Sequence, residues 1–162
     1  TDISALANLT NMESLSLAGN GITDISVLAN MTKLEYLEMS ENKVTDISAL
    51  ANLTNLTMLY AGDNEITSVC ALAEHHELYE LYLIYNFITD VSPLANLASL
   101  HKIDLRHNCI KSATPLSRLP NLLYWQLLNN PIPDKSALGS LNEYSRLRTP
   151  YSDYSDSRFS DK

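Results

Sequence analysis

The chain has 162 residues, 45% of them hydrophobic and 19% charged, a composition typical of one globular domain and unlike that of a disordered segment. The chain has 11 Lys and Arg residues and 19 Asp and Glu residues, which gives a formal net charge of -8. We therefore expect no nucleic-acid partner. No apolar run approaches the roughly 20 residues that a membrane-spanning helix needs, so direct membrane insertion is not expected either.

An asparagine recurs at intervals of 22 residues without exception. Apolar residues stand eight, five and three positions before each asparagine and two positions after it. The Leu-x-Leu spacing before the asparagine has the period of a β-strand, so we expect one short strand per repeat with its leucines pointing inward. The asparagine amide would satisfy backbone groups of its own turn and the neighbouring turn. The six asparagines are Asn20, Asn42, Asn64, Asn86, Asn108 and Asn130.

The segments between the strands predict single helical turns. The chain begins with Thr-Asp-Ile-Ser inside such a segment, so the first repeat is partial and we expect the natural N-terminus to lie upstream. The later segments place an aspartate where it can cap the turn, and some place a proline in the first turn. Only about eight residues separate this cap from the next strand, which favours a 3₁₀ or one-turn α segment. The predicted caps are Asp24, Asp46 and Asp90, and the prolines are Pro93 and Pro115.

The repeat pattern weakens toward the C-terminus. Lys135 replaces an aliphatic residue of the earlier repeats, and Pro131 and Pro133 bracket the last turn. We therefore predict a repeat domain over residues 1–141, made of the partial repeat and six 22-residue repeats of which the last is degenerate. Residues 142–162, rich in Ser, Asp and Tyr, form either a tail or a cap in which aromatic side chains pack on the last repeat.

The pattern L-x-x-L-x-L-x-x-N-x-I resembles the leucine-rich repeat. This resemblance implies an α/β solenoid with a concave parallel β-sheet and short 3₁₀ or α turns on the convex side. Residues 34–55, with Thr-Asp-Ile-Ser-x-Leu-Ala-Asn-Leu after the strand, resemble the 22-residue repeat of the internalins. That likeness implies a bacterial cell-surface or secreted protein that uses its concave face in adhesion or virulence, with a host receptor as ligand.

A second class of 22-residue repeats stays open as an alternative. The Asn-Pro-Ile sequence at residues 130–132 is similar to the phosphatase-regulator repeats, and that likeness implies a cytoplasmic scaffold. The Thr-Asp-Ile-Ser segments favour the bacterial class. A spacer role within a larger protein is a further alternative.

The predicted binding surface follows from the positions that point outward on the concave side. Tyr60 and Tyr82 occupy the same outward position on adjacent strands, so their rings should be neighbours. Tyrosine is enriched at binding hot spots, although strand propensity alone would also favour it here. A protein ligand is predicted, and a sugar stacked on the tyrosines is left open as a less favoured alternative. The predicted ligand-binding residues are Tyr36, Glu38, Met58, Tyr60, Glu80, Tyr82, Ile84, Tyr85, Lys102, Asp104, Arg106 and Tyr124.

Charge is graded along this surface in the sequence. The early and middle strands carry carboxylates, whereas the fifth repeat carries a basic stripe made by His101, Lys102, Arg106 and His107 and interrupted by Asp104. Such polarity would orient a partner with a basic patch facing the second and third repeats. An ordinary solvated surface is the alternative interpretation.

No catalytic, metal or cofactor site is predicted. No serine or cysteine is placed beside a histidine and an acid in a way that would make a nucleophile. The segment Glu74-His75-His76-Glu77 is the one metal-like cluster, but His75 takes a leucine position and should be half-buried between repeats. Cys70 and Cys109 lie two repeats apart, too far to form a disulfide, so both should be reduced.

Overall fold

The computed structural model describes residues 1–133, and this part of the chain is a solenoid of short strands alternating with 3₁₀ turns. The six strands within this range are β1 (Ser14–Ser16), β2 (Tyr36–Glu38), β3 (Met58–Tyr60), β4 (Glu80–Tyr82), β5 (Lys102–Asp104) and β6 (Tyr124–Gln126). The 3₁₀ turns are Ser4–Leu6, Ser26–Asn30, Ser48–Leu50, Cys70–Leu72, Ser92–Leu94 and Thr114–Arg118.

All six strands form one parallel sheet in the order β1-β2-β3-β4-β5-β6, and the register keeps equivalent repeat positions opposite each other. Leu15 pairs with Leu37, Leu37 with Leu59, and Leu59 with Leu81. The central leucine of each strand points into the core because side chains alternate between the two faces of a strand. The predicted solenoid with a concave parallel sheet and 3₁₀ turns is therefore confirmed.

The asparagine at the end of each strand ties its turn to the preceding repeat. The Nδ2 group of Asn64 donates to the carbonyl oxygens of Met39 (3.0 Å), Ala61 (3.3 Å) and Gly62 (3.2 Å). Its Oδ1 atom accepts a hydrogen bond from the backbone N–H of Val44 at 3.0 Å. The Val44 N–H would otherwise be buried without an acceptor, so the predicted structural role of the asparagine is confirmed.

The aspartates before the 3₁₀ turns act one residue earlier than predicted. Asp24 Oδ1 accepts a hydrogen bond from the backbone N–H of Ser26 at 2.8 Å, whereas the N-cap position itself belongs to Ile25. The prediction that these aspartates are N-caps is wrong, because the two-residue spacing makes an Asx turn that leads into the helical turn. The hydrogen bond from Ser26 lowers the pKa of Asp24. Pro93 and Pro115 do lie in the first turn, as predicted.

The predictions about the C-terminal end lie beyond the described residues. They comprise the position of Lys135, the domain boundary at residue 141 and the choice between a cap and a tail for residues 142–162.

Candidate functional site

Three tyrosines form a ladder of rings across the concave side of β2, β3 and β4. The ring centroids of Tyr36 and Tyr60 are 5.6 Å apart with the planes tilted by 45°. The rings of Tyr60 and Tyr82 stack at 4.7 Å with their planes 5° apart. The parallel register aligns Tyr60 with Tyr82, which confirms that their rings are neighbours. We call Tyr36, Tyr60 and Tyr82 the tyrosine ladder.

Four of the twelve predicted contact residues are buried, which corrects the expectation that every outward position is accessible. Tyr82 is 4% exposed, Ile84 5%, Tyr124 3% and Asp104 0%. Tyr82, Asp104 and Tyr124 lie on strands about 4.8 Å from their neighbours, so large side chains there cover one another. Ile84, two residues after β4, packs over Gly62 of the preceding repeat. The remaining eight are half-buried: Tyr36, Glu38, Met58, Tyr60, Glu80, Tyr85, Lys102 and Arg106.

Glu80 holds the central tyrosine of the ladder in place. The Tyr60 hydroxyl donates to Glu80 Oε2 at 2.9 Å, and Lys102 Nζ donates to Glu80 Oε1 at 2.7 Å. Burial, followed by the hydrogen bond to this carboxylate, raises the pKa of Tyr60, so the phenol is neutral at physiological pH. The hydrogen bond to Glu80 also raises the pKa of Lys102. The Tyr60 side chain is therefore oriented before any ligand arrives.

A second ion pair lies on β5 and the turn after it. Arg106 Nη2 contacts Asp104 Oδ2 at 2.6 Å, and Arg106 Nε lies 3.0 Å from both carboxylate oxygens. Asp104 has no exposed surface, and its hydrogen bonds raise the pKa of Arg106. With Lys102 paired to Glu80, both strong cations of the predicted basic stripe are neutralised within the protein. These two cations are thus paired within the protein, and the role of the stripe toward a partner stays a prediction.

Two tyrosine–histidine stacks lie on either side of the ladder. Tyr79 and His101, just before β4 and β5, stack with centroids 4.3 Å apart, and Tyr85 and His107, just after these strands, stack at 4.2 Å. Tyr79 is 42% exposed and was not among the predicted contacts. The same 22-residue spacing that aligns the ladder could have identified both stacks.

The residue before each repeat asparagine has a left-handed backbone conformation. Tyr85 has a φ of 55°, which is unusual for a bulky residue. This conformation lets its N–H donate to the Arg106 carbonyl of the next repeat at 3.0 Å. Sequence reasoning missed it, because only the first member of the column is glycine. The others in the column are Gly19 (70°), Glu41 (59°), Asp63 (53°), His107 (54°) and Asn129 (59°).

The comparisons with known families agree with the sheet and its repeats. The leucine rich repeat family profile matches residues 10–66, and the profile for two copies of leucine rich repeats matches residues 77–118. Two crystal structures of internalins from Listeria monocytogenes are each 36% identical to the chain. The chain is an internalin-like leucine-rich repeat protein. Domains of this family generally bind proteins.

The similar structures are longer than this chain. The first internalin covers 87% of the chain with a TM-score of 0.68, and the chain spans 48% of it. Internalin C2 covers 88% of the chain with a TM-score of 0.80, and the chain spans 63% of it. A leucine-rich repeat protein of Leptospira interrogans, 21% identical, covers 88% with a TM-score of 0.81 while the chain spans 39% of it, and shows the fold alone. A search of curated proteins finds no match.

His75 lies deeper in the internalin-like repeat stack than predicted. It has no exposed surface, so the expectation of a half-buried side chain is corrected, and neither ring nitrogen makes a hydrogen bond of ordinary length and angle. Leu53 and Leu97, at the same position of neighbouring repeats, are also fully buried. Burial lowers the pKa of His75, although the nearby carbonyls of Leu50 and Leu72 act in the opposite direction.

The histidines, cysteines and carboxylates of the described range form no metal site. Residues 1–133 contain no group of three or more His, Cys, Asp or Glu placed to hold a metal ion. Cys70 is exposed, Cys109 is half-buried, and both are free thiols, as expected. Over the same part of the chain, no helix is long and apolar enough to cross a bilayer.

Proposed function

We propose that this protein is a non-enzymatic binding module of the bacterial cell surface or of a secreted protein, with a host-cell protein as its ligand. The observation that carries the proposal is the tyrosine ladder at the centre of the concave sheet. Tyr36 and Tyr60 keep part of their surface exposed, and Glu80 orients Tyr60. Rings held in one orientation lose little conformational entropy on binding, which favours affinity.

The proposed contact surface is narrower than the surface predicted from the repeat. Tyr36, Met58 and Tyr60 supply its apolar area, and Glu80, Tyr85 and Lys102 lie around them. Glu38 and Arg106 complete the accessible part. Tyr82, Ile84, Asp104 and Tyr124 are buried beside these side chains on the same side of the sheet, so their effect on binding is expected to be indirect.

Titration of fluorescently labelled protein on cultured mammalian epithelial cells tests this proposal. Saturable binding is expected for the wild type, and a loss of about tenfold or more in affinity is expected for Tyr36→Ala combined with Tyr60→Ala, as for removal of hot-spot residues. The matched control is Thr45→Ala with Thr67→Ala, two exposed residues on the convex side. Equal losses in both double variants, or no saturable binding by the wild type, would contradict the proposal.

The cellular location has its own test. The N-terminal sequence of the native protein, determined by mass spectrometry, should show an end produced by cleavage of a secretion signal, upstream of Thr1. An unprocessed cytosolic start would contradict the surface location and favour the cytoplasmic scaffold.

A further inference from the structure

The concave surface has two halves with different charge. We define the concave strip as the seven residues before each repeat asparagine, from 13–19 in the first repeat to 123–129 in the sixth. The last three segments carry two acids and two strong bases, and these form the ion pairs Glu80–Lys102 and Asp104–Arg106. The first three segments, which we call the acidic half, contain no lysine or arginine. Their five carboxylates are Glu13, Glu35, Glu38, Glu41 and Asp63.

Tyr36 offers an aromatic face within this acidic half. On β1 the residues beside it are Ser14 and Ser16, both exposed and too short to cover a phenol ring. Glu38 lies two residues along β2 and therefore on the same face of the sheet as Tyr36, and its carboxylate raises the pKa of Tyr36 in addition to the larger effect of burial. A half-exposed π face next to a carboxylate is an environment that attracts a cationic side chain.

Like charges also lie next to each other in the acidic half. Glu41 and Asp63 occupy the same repeat position on neighbouring turns, and both precede a repeat asparagine. The negative charges in this half attract a cationic group by their Coulomb field, whereas the half around Glu80 and Asp104 carries its own counter-charges.

We propose that the acidic half binds an arginine- or lysine-bearing segment of the partner protein, with one cationic side chain lying on the Tyr36 ring beside Glu38. This inference rests on the proposed function and specifies the chemistry of the partner. Cation–π attraction and the Coulomb field of the carboxylates both favour this placement. The field would also raise the association rate at low salt.

Selection of random twelve-residue peptides displayed on phage, with the full chain immobilised, tests the partner chemistry directly. The combined frequency of arginine and lysine in the selected peptides should rise to about twice that of the unselected library or more, as electrostatic complementarity predicts. An unchanged or lower frequency would overturn the inference.

A selected peptide, synthesised with a fluorophore, then tests the location by fluorescence anisotropy. Glu35→Gln combined with Glu38→Gln should weaken binding by about three- to tenfold, as expected for two charge interactions at the protein surface. The control, Asp24→Asn with Asp46→Asn, changes the net charge equally on the convex side and keeps a side-chain oxygen as acceptor for the backbone N–H groups of Ser26 and Ser48. Tyr36→Ala should cost about fivefold. Equal effects of the two charge variants would refute the assignment.

The results also separate this inference from the proposed function. Peptides without cationic residues whose binding falls in Tyr60→Ala would overturn the inference while supporting concave binding. Peptides whose binding is unaffected by Tyr36→Ala and by Tyr60→Ala would contradict both. Cationic peptides that lose affinity in the concave variants alone, and lose it further as NaCl rises, would support both.

Discussion

Replacement of the buried His75 by leucine should stabilise the protein, and more so in acid. The imidazole is fully buried, and its contacts with the carbonyls of Leu50 and Leu72 fall short of ordinary hydrogen bonds. An unpaired buried polar group costs about 1–3 kcal/mol. Leucine occupies this position at Leu53 and Leu97 without exposed surface, so the column accepts its shape. We therefore expect His75→Leu to raise the free energy of unfolding by about 1–3 kcal/mol at pH 8.

The pH dependence follows from the lowered pKa of His75. The ordinary value is 6.5, and the folded-state pKa lies below it because burial disfavours the imidazolium. Between these two values the unfolded chain binds more protons than the folded chain, so folding stability falls as pH falls. The slope is about 1.36 kcal/mol per pH unit, which gives at most about 2 kcal/mol between pH 6.5 and pH 5. His75→Leu should remove this loss.

Urea unfolding at pH 8 and pH 5 measures both effects. Circular dichroism reports on the whole domain, and the single tryptophan, Trp125, reports from β6. The matched control is His76→Leu, because His76 is the next residue, its side chain is exposed and it pairs with Glu74. That variant keeps His75 and should therefore still lose stability between pH 8 and pH 5. The reasoning is refuted when His75→Leu loses as much stability as the wild type between pH 8 and pH 5.

Two further substitutions test the packing of the repeats. Gly62→Ala should lower stability by about 1–3 kcal/mol, because a Cβ there would lie 2.8 Å from Ile84 Cγ2 and 3.3 Å from the Ile84 carbonyl oxygen. An unchanged melting temperature would show that Ile84 moves aside freely. Asn64→Ala should cost at least about 2 kcal/mol, since it leaves the buried Val44 N–H without an acceptor and removes three hydrogen bonds that Asn64 Nδ2 donates to backbone carbonyls. Asn20→Ala, at an exposed asparagine, is the control and should cost clearly less in thermal melts.

The strands and their alignment were predictable because the repeat is regular. Consecutive repeat asparagines are always separated by the same number of residues, so equivalent positions stack without a shift in register. This regularity placed Leu37 beside Leu59 and Tyr60 beside Tyr82 before any coordinates were known. The same spacing predicted that the six repeat asparagines occupy equivalent positions in successive turns.

Accessibility on the concave side was not predictable from the repeat. Position in the repeat shows which face a side chain points to, but burial depends on the size of the side chains on neighbouring strands. Tyr82 and Asp104 point to the concave side and are nevertheless buried. The ion pair between Lys102 and Glu80 was not predicted for a related reason, because these residues are 22 positions apart in the chain and come into contact only across the sheet. The left-handed conformation at Tyr85 accompanies a hydrogen bond to the following repeat, a contact that the sequence of one repeat does not show.

The amino-acid sequence alone determined the solenoid, the strand positions, the columns of aligned residues and the family resemblance. Because the repeat has a constant period of 22 residues and each repeat contacts only its neighbours, the structure of one repeat predicts that of the next. Only the tertiary structure decided which concave side chains are accessible, which charges cancel and how deeply His75 is buried. These properties depend on three-dimensional contacts between side chains of different repeats, and such contacts depend on volumes and distances that a residue pattern does not contain.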